Sequence, residues 1–307
     1  MEFAINGIVS IPASPFDENN ALDCDSLRRE VDFCIEVGAG AFLGPVLASE
    51  VWQLTVEERR RFVEVVADQN RHRIPYIAGV SSVDEEDALA LGRSAAQAGA
   101  DAVSAMLPQI EMNGDWEVTH RFFSRLAEAS GLPVVIQTGG RGPNDCIPTD
   151  QLMRLIREIP SVRYIKEEGN PANHRITALL NAGEPQLKGV FGGTGGRFLI
   201  DEMRRGVCGC APICNFTDVL VRIWNLFHGG YEEEAMDLHE KLCTMLNIEF
   251  QIGLTFGKEI LRRRGLIKTN FARAAGAVPL DDFDLVEMDK RLERLAPYFD
   301  QRFPLQA

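Results

Sequence analysis

The segment Val162-Arg163-Tyr164-Ile165-Lys166-Glu167-Glu168-Gly169-Asn170-Pro171 holds a complete strand-to-helix transition. Ser161 to Ile165, with Val162, Tyr164 and Ile165, reads as a short strand. Gly169-Asn170-Pro171 stops it, and Pro171 suits the first turn of a following helix. Strand alternation sets Lys166 and Glu168 on one face and Glu167 on the other. A lysine at the end of a buried strand is costly unless it is paired or does chemistry. Two readings follow from these residues: a Lys166–Glu168 ion pair, or an amine that forms an imine with a ketone.

The same strand-to-helix grammar repeats on both sides of this segment. Strand-like runs occupy Gly7–Ile11, Ala41–Val46, Pro75–Val80, Ala102–Leu107, Pro133–Gln137, Val162–Lys166, Lys188–Gly192 and Cys208–Ile213. Most are continuously apolar, as parallel strands covered on both faces are. Helical patterns lie between them. Asp23 precedes Cys24–Val37, Thr55 and Glu58 have capping-box spacing, Ser82-Val83-Asp84-Glu85 opens Glu86–Ala98, and Thr149-Asp150 opens Gln151–Glu158. Eight such units predict an α/β fold, a closed (β/α)8 TIM barrel over residues 1–230. A doubly wound open sheet is the alternative, but no Gly-x-Gly-x-x-Gly fingerprint or Walker loop follows any strand. Beyond residue 230 the strand pattern stops. Glu232–Phe250, Gly253–Arg264 and Leu280–Leu295 read as helices, so residues 231–307 are expected to pack on the barrel as a helical extension.

Composition narrows the function classes. A net charge of −13 disfavours non-specific binding to nucleic acid or to an anionic membrane, since both need a positive field. No run approaches the ~20 apolar residues of a membrane span, and Met1 to Gly7 has no basic stretch of the signal-peptide kind. Seven cysteines, mostly in apolar segments, fit a reducing cytoplasm better than a disulfide framework. Cys208, Cys210 and Cys214 match no zinc spacing and have no histidine near them in sequence, so they are expected to be buried strand cysteines, with no metal bound.

In a barrel, reactive groups project from the C-terminal strand ends and the loops that follow. That filter selects Lys166 and Glu168 on strand six and Gln137 and Thr138 on strand five. It also selects Val46-Leu47-Ala48-Ser49-Glu50 after strand two and Gly192-Gly193-Thr194-Gly195-Gly196 after strand seven. Burial disfavours an ammonium, and the neutral amine of Lys166 is a nucleophile for a ketone. Glu168 is placed to shuttle protons. Arg141, in the loop after strand five, is either a bidentate partner for a carboxylate or a solvated loop residue. The glycines after strand seven form either a phosphate loop or a tight turn that lets substrate approach.

Several segments, in order, resemble the dihydrodipicolinate synthase/N-acetylneuraminate lyase superfamily across nearly the whole chain. They are Gly7-Ile8-Val9 through Ser14-Pro15-Phe16-Asp17 with Leu22-Asp23, Leu54-Thr55-Val56-Glu57-Glu58-Arg59, Ala98-Gly99-Ala100-Asp101-Ala102, Tyr164-Ile165-Lys166-Glu167 and Arg205-Gly206-Val207-Cys208-Gly209. The resemblance implies imine chemistry at Lys166, no cofactor beyond that covalent imine, a small 2-keto acid as substrate, and a homotetramer or dimer. It also implies that the loop at Ala48 and Ser49, with Thr138, Arg141 and Gly193, surrounds the substrate.

The departures from the pattern matter as much. Where the family carries Gly-Thr-Thr-Gly-Glu, this chain has Val46-Leu47-Ala48-Ser49-Glu50. Gln137-Thr138 replaces the strand-five Tyr-Asn, and Gln109-Ile110 replaces tyrosines after the strand-four proline. The hydroxyl relay that serves lysine biosynthesis is therefore missing.

Members that dehydrate 2-keto-3-deoxy-L-arabonate are similar at Ser49-Glu50, Ile136-Gln137, Glu168 and Gly265-Leu266-Ile267-Lys268. They carry Asp-Ala-Pro where this chain has Thr138-Gly139-Gly140. The expected activity is a class I lyase that dehydrates a 2-keto-3-deoxy sugar acid, with Lys166, Glu168 and Gln137 as catalytic residues. The alternatives are a pyruvate-dependent aldolase, a dihydrodipicolinate synthase-like condensation, and a non-catalytic barrel that binds a keto acid.

Overall fold

Eight short parallel strands close on themselves in chain order in the computed structural model, which describes residues 3–108, 114–139, 146–274 and 276–306. They are β1 Gly7–Ser10, β2 Ala41–Gly44, β3 Tyr76–Gly79, β4 Ala102–Ala105, β5 Val134–Gln137, β6 Val162–Glu167, β7 Gly189–Gly192 and β8 Gly209–Cys210. β1 pairs with both β2 and β8, which completes the barrel. The architecture is the (β/α)8 barrel that the alternation of apolar runs and helical patterns predicts.

Inward side chains, among them Val9, Leu43, Ile77, Val135, Tyr164 and Phe191, fill the barrel as one cluster. Outward side chains join the helices in a second, larger one. Both faces of each strand are thus buried, which is why the runs are apolar without alternation. The register matters for the site. Gln137 pairs with Lys166, and Lys166 pairs with Phe191, so the ends of β5 and β6 lie at one level.

Each ladder is shorter than its apolar run. β2 stops at Gly44 because Pro45 has no N–H to donate. β8 is only two residues long, with Pro212 in the stretch beyond it and Ile213 forming a lone bridge to Ile11. Cys214 belongs to a 3-10 turn, Cys214–Phe216, not to a strand, and only Cys210 of the three clustered cysteines lies in β8.

The barrel helices are α1 Cys24–Glu36, α2 Val56–Asn70, α3 Glu85–Ala98, α4 Trp116–Ser130, α5 Thr149–Glu158, α6 Ala172–Asn181, α7 Leu199–Arg205 and α8 Thr217–His228. Asp23 caps α1 by accepting from Ser26 N, and Thr55 with Glu58 forms a full capping box on α2. On α3 the cap is Asp84, which accepts from Asp87 N, so the helix begins one residue before the sequence pattern indicates.

Three more helices follow: α9 Glu232–Ile252, α10 Leu254–Arg263 and α11 Asp282–Leu295. α9 packs against α7 and α8, and α10 and α11 pack against α9. None of the helices among the described residues is long and apolar enough to cross a membrane.

Candidate active site

At the C-terminal end of the barrel lies a cavity of about 620 Å3. Lys166 and Glu168 rise into it from the end of β6, and Ala48 reaches it from the turn after β2. Gly139, Asn170, Thr194, Gly195 and Arg197 come from the loops after β5, β6 and β7. Leu246, Glu249, Phe250 and Leu254 come from α9 and α10, so the helical extension supplies one wall of the cavity.

Lys166 is 3% exposed, and its Nζ lies 3.4 Å from Glu168 Oε2. The Glu168 carboxylate is held from three sides. Gln137 Nε2 donates to Oε2 at 2.8 Å, Thr194 N donates to Oε1 at 3.4 Å, and the Lys166 ammonium faces Oε2. Gln137 Oε1 and Thr194 Oγ1 are buried with no hydrogen-bond partner, a costly state unless a ligand engages them. Glu167 points the other way, as strand alternation requires. It is fully buried against α6, where its Oε1 accepts from Arg175 Nε at 2.9 Å and Gly169 N at 2.6 Å.

Three residues expected around the substrate are turned to other work. Thr138 is buried. Its Oγ1 donates to Glu167 Oε1 at 2.8 Å and accepts from Glu168 N at 2.9 Å, which fixes the end of β6 from the outer side. Ser49 is fully buried, with its hydroxyl donating to the Pro12 carbonyl at 2.8 Å and its N–H to the Val46 carbonyl at 2.8 Å. A hydroxyl committed to a backbone acceptor in the core is not aimed at a bound carboxylate. Gly193 makes room: a Cβ there would sit 2.2 Å from Glu168 Oε1. Arg141 lies outside the described residues, as do Gln109, Ile110 and Gly140.

Beneath the Ala48 turn, Glu50 adopts a left-handed conformation, φ 56°, and is buried. Its carboxylate meets the Lys258 ammonium from α10 and accepts from Ala274 N at 2.7 Å. Lys258 also donates to the Phe271 carbonyl at 2.8 Å. This buried pair ties the turn to the helical extension.

Arg197, Glu249 and Phe250 were not singled out by the sequence, whereas Thr194 lies in the segment selected after strand seven. The Arg197 guanidinium donates through Nε to the Thr194 carbonyl at 3.1 Å and lies 3.7 Å from the centre of the Phe250 ring. Burial lowers its pKa, and the charge of Glu249 partly offsets that. Burial raises the Glu249 carboxyl to about 7, with Asn215 Nδ2, 3.0 Å from its Oε2, acting in the opposite direction. Position after a barrel strand was a usable signal for Arg197. Nothing marked Glu249 and Phe250, because Leu246, Phe250 and Leu254 read as an ordinary apolar stripe at helical spacing.

The sequence model of the dihydrodipicolinate synthetase family matches residues 4–293. The chain belongs to this family. An L-2-keto-3-deoxyarabonate dehydratase from Azospirillum brasilense is 25% identical over 272 residues, 87% of each chain. A 4-hydroxy-tetrahydrodipicolinate synthase from Chlorobium phaeobacteroides is 25% identical over 287 residues, 92% of this chain and 94% of that one. Among solved structures, dihydrodipicolinate synthase from Rhodopseudomonas palustris superposes with a TM-score of 0.87 at 25% identity, covering 96% of this chain and all of that one.

This dihydrodipicolinate synthetase family member also buries two acids outside the cavity. Glu202 on α7 packs its carboxyl against Gly192, where a Cβ would lie 2.0 Å away. Burial raises its pKa to about 8, with the Glu168 and Asp201 charges adding to the rise and the Cys210 thiol opposing it. Burial likewise raises Glu30 to about 8. Its Oε2 accepts from Ala13 N at 2.7 Å and from Cys214 Sγ at 3.2 Å. Among the described residues no group of three His, Cys, Asp or Glu is arranged to hold a metal.

Proposed function

We propose that this protein is a lyase that acts on a 2-keto acid through a Schiff base on Lys166. The observation that carries the reading is the buried Lys166 amine beside a Glu168 carboxylate that Gln137 and Thr194 hold in place, at the mouth of a barrel. Lys166 Nζ attacks the C2 carbonyl, and loss of water gives the protonated imine, an electron sink. Glu168 takes a proton from C3, and the electron pair moves toward nitrogen to form the enamine. The enamine expels the C4 hydroxyl, which Glu168 protonates, so it leaves as water. Hydrolysis of the remaining imine consumes one water and frees the amine. The net change is loss of one water from a 2-keto-3-deoxy acid of the sugar-acid kind. The amine supplies the electron sink, so the sequence of steps calls for no metal or organic cofactor.

Two facts favour dehydration. A relative of this chain along most of its length is named for it, and Gln137 stands where an aldol-type relay uses a tyrosine hydroxyl. Cleavage of the C3–C4 bond is the second reading, since it shares the imine, and many relatives bear the synthase name.

Borohydride reduction in the presence of pyruvate tests the imine. A covalent adduct on Lys166, absent in Lys166→Ala, supports it, and no adduct with any 2-keto acid tried would sink it. With 2-keto-3-deoxy sugar acids as substrates, the 3,4-unsaturated 2-keto acid, or the isomeric semialdehyde reached from it by proton shifts away from the C5 carbinol, marks dehydration, and pyruvate with an aldehyde marks cleavage.

A further inference from the structure

Arg197 is built into the cavity wall in a way the imine chemistry does not use. It follows β7, so it reaches the cavity from a different strand end than Lys166 does. Its Nε is anchored to the Thr194 carbonyl, its flat face rests on the Phe250 ring, and its carbonyl accepts from the Cys243 thiol at 3.8 Å. The side chain is therefore held at the backbone, at Nε and across its face. None of the hydrogen bonds among the described residues engages Nη1 or Nη2, and none of the described carboxylates lies within ion-pair distance. Glu249, the acid whose charge Arg197 feels, is turned to Asn215. A fixed guanidinium with two free N–H-bearing nitrogens in a partly dry cavity is a receptor for a planar carboxylate.

Among the described residues, the wall around the polar groups is apolar, with Ile11, Leu47, Ala211, Ile213, Leu246 and Leu254 lining it. That part of the wall accommodates a short carbon spine and, among the described residues, offers no row of donors for a long polyhydroxylated one.

We infer that Arg197 receives a second carboxylate at the far end of the substrate, so that the site takes a short 2-keto acid with an acid group at each end. The inference rests on the keto-acid reading above and names a substrate class for it. A guanidinium that served only to hold α9 against the β7 loop would make the same contacts to Thr194 and Phe250 but would not distinguish ligands by their far end.

Calorimetric titration with 2-oxoglutarate and with 2-oxopentanoate, the same five-carbon chain without the terminal acid, separates the two roles. The wild-type protein is expected to bind the diacid roughly 10- to 100-fold more tightly, the usual worth of a charge-assisted hydrogen-bonded pair. Arg197→Gln is expected to bring the ratio close to one, and Arg197→Lys to keep part of it, since charge survives and the fork does not. Equal wild-type affinities overturn the inference, whether or not any variant folds. So does a diacid preference that persists in folded Arg197→Gln, with folding checked by its melting transition. Failure of pyruvate trapping on wild-type Lys166 would overturn the Schiff-base reading alone and leave the titration ratio as evidence about Arg197.

Discussion

Glu168 Oε2 faces Lys166 Nζ at 3.4 Å while Gln137 Nε2 donates to the same oxygen at 2.8 Å, so a strand-five amide fixes the strand-six acid beside the amine. The arrangement separates two tasks. In the proposed chemistry the amine alone forms the imine, whereas the carboxylate moves the C3 proton. Glu168→Gln keeps the shape and removes the base. Turnover is expected to fall roughly 100- to 10,000-fold, the range for loss of a positioned general base. Borohydride adduct formation on Lys166 should continue. Joint loss of adduct and turnover would mean that Glu168 acts earlier, in imine formation itself.

Gly193 leaves the space that the Glu168 carboxylate occupies. An added Cβ would meet Oε1 at 2.2 Å and Cδ at 2.6 Å. The group that must yield is the end of a side chain, so Gly193→Ala is expected to fold with little change in thermal stability. It displaces Glu168 from its hydrogen bonds, and a misplaced catalytic group costs about 100-fold in rate. Steady-state kinetics beside a melting curve decides it: full activity would show that Glu168 has a second productive position.

The fold was legible because barrel strands buried on both faces announce themselves as apolar runs, and because helix caps such as Asp23 and Thr55 are local chemistry. Strand ends were less legible. Where a ladder stops depends on Pro45, and at β8 on Pro212, as well as on neighbours distant in sequence. The positions of Lys166, Glu168 and Gln137 at one level follow from counting along two paired strands. The orientations of Ser49 and Thr138 do not. A short hydroxyl takes whichever acceptor the turn brings near, and here those are the Pro12 carbonyl and the Glu167 carboxylate. Arg197 and Phe250 meet only because α9 folds back over the barrel mouth, and a helix stripe facing a cavity has the same spacing as one facing a core.

Glu202 makes stability depend on pH. Its carboxyl has a folded pKa of about 8 against an ordinary value of 4.5. Between those values the unfolded chain has released a proton that the folded chain retains, so stability falls as pH rises, by about 1.4 kcal/mol per unit for one such group. Glu30, also raised to about 8, adds a second contribution of the same sign. Urea midpoints measured from about pH 5 to about pH 9 should therefore decline for the wild type and decline less for Glu202→Gln. Parallel curves for the two proteins would show that Glu202 is not neutral in the folded state.

The Glu50–Lys258 pair joins the turn that carries Ala48 to α10, and both side chains are fully buried. Burial lowers the pKa of Lys258, and the Glu50 charge opposes that change. Lys258→Met would strand the Glu50 carboxylate in the core with the Ala274 N–H as a remaining donor. Leaving one member of a buried pair uncompensated costs roughly 3–5 kcal/mol, whereas removing both charges is often close to neutral. Lys258→Met is therefore expected to lower the urea midpoint strongly, and adding Glu50→Gln to restore much of it. The turn should follow the pair: with Glu50 unanchored, Ala48 shifts and KM for the keto acid rises, and in the double variant it recovers with stability. A single variant as stable as the wild type would mean that the carboxylate finds another cation or reaches water. A double variant no more stable than the single one would show that the pair's shape, not its charge balance, holds the turn.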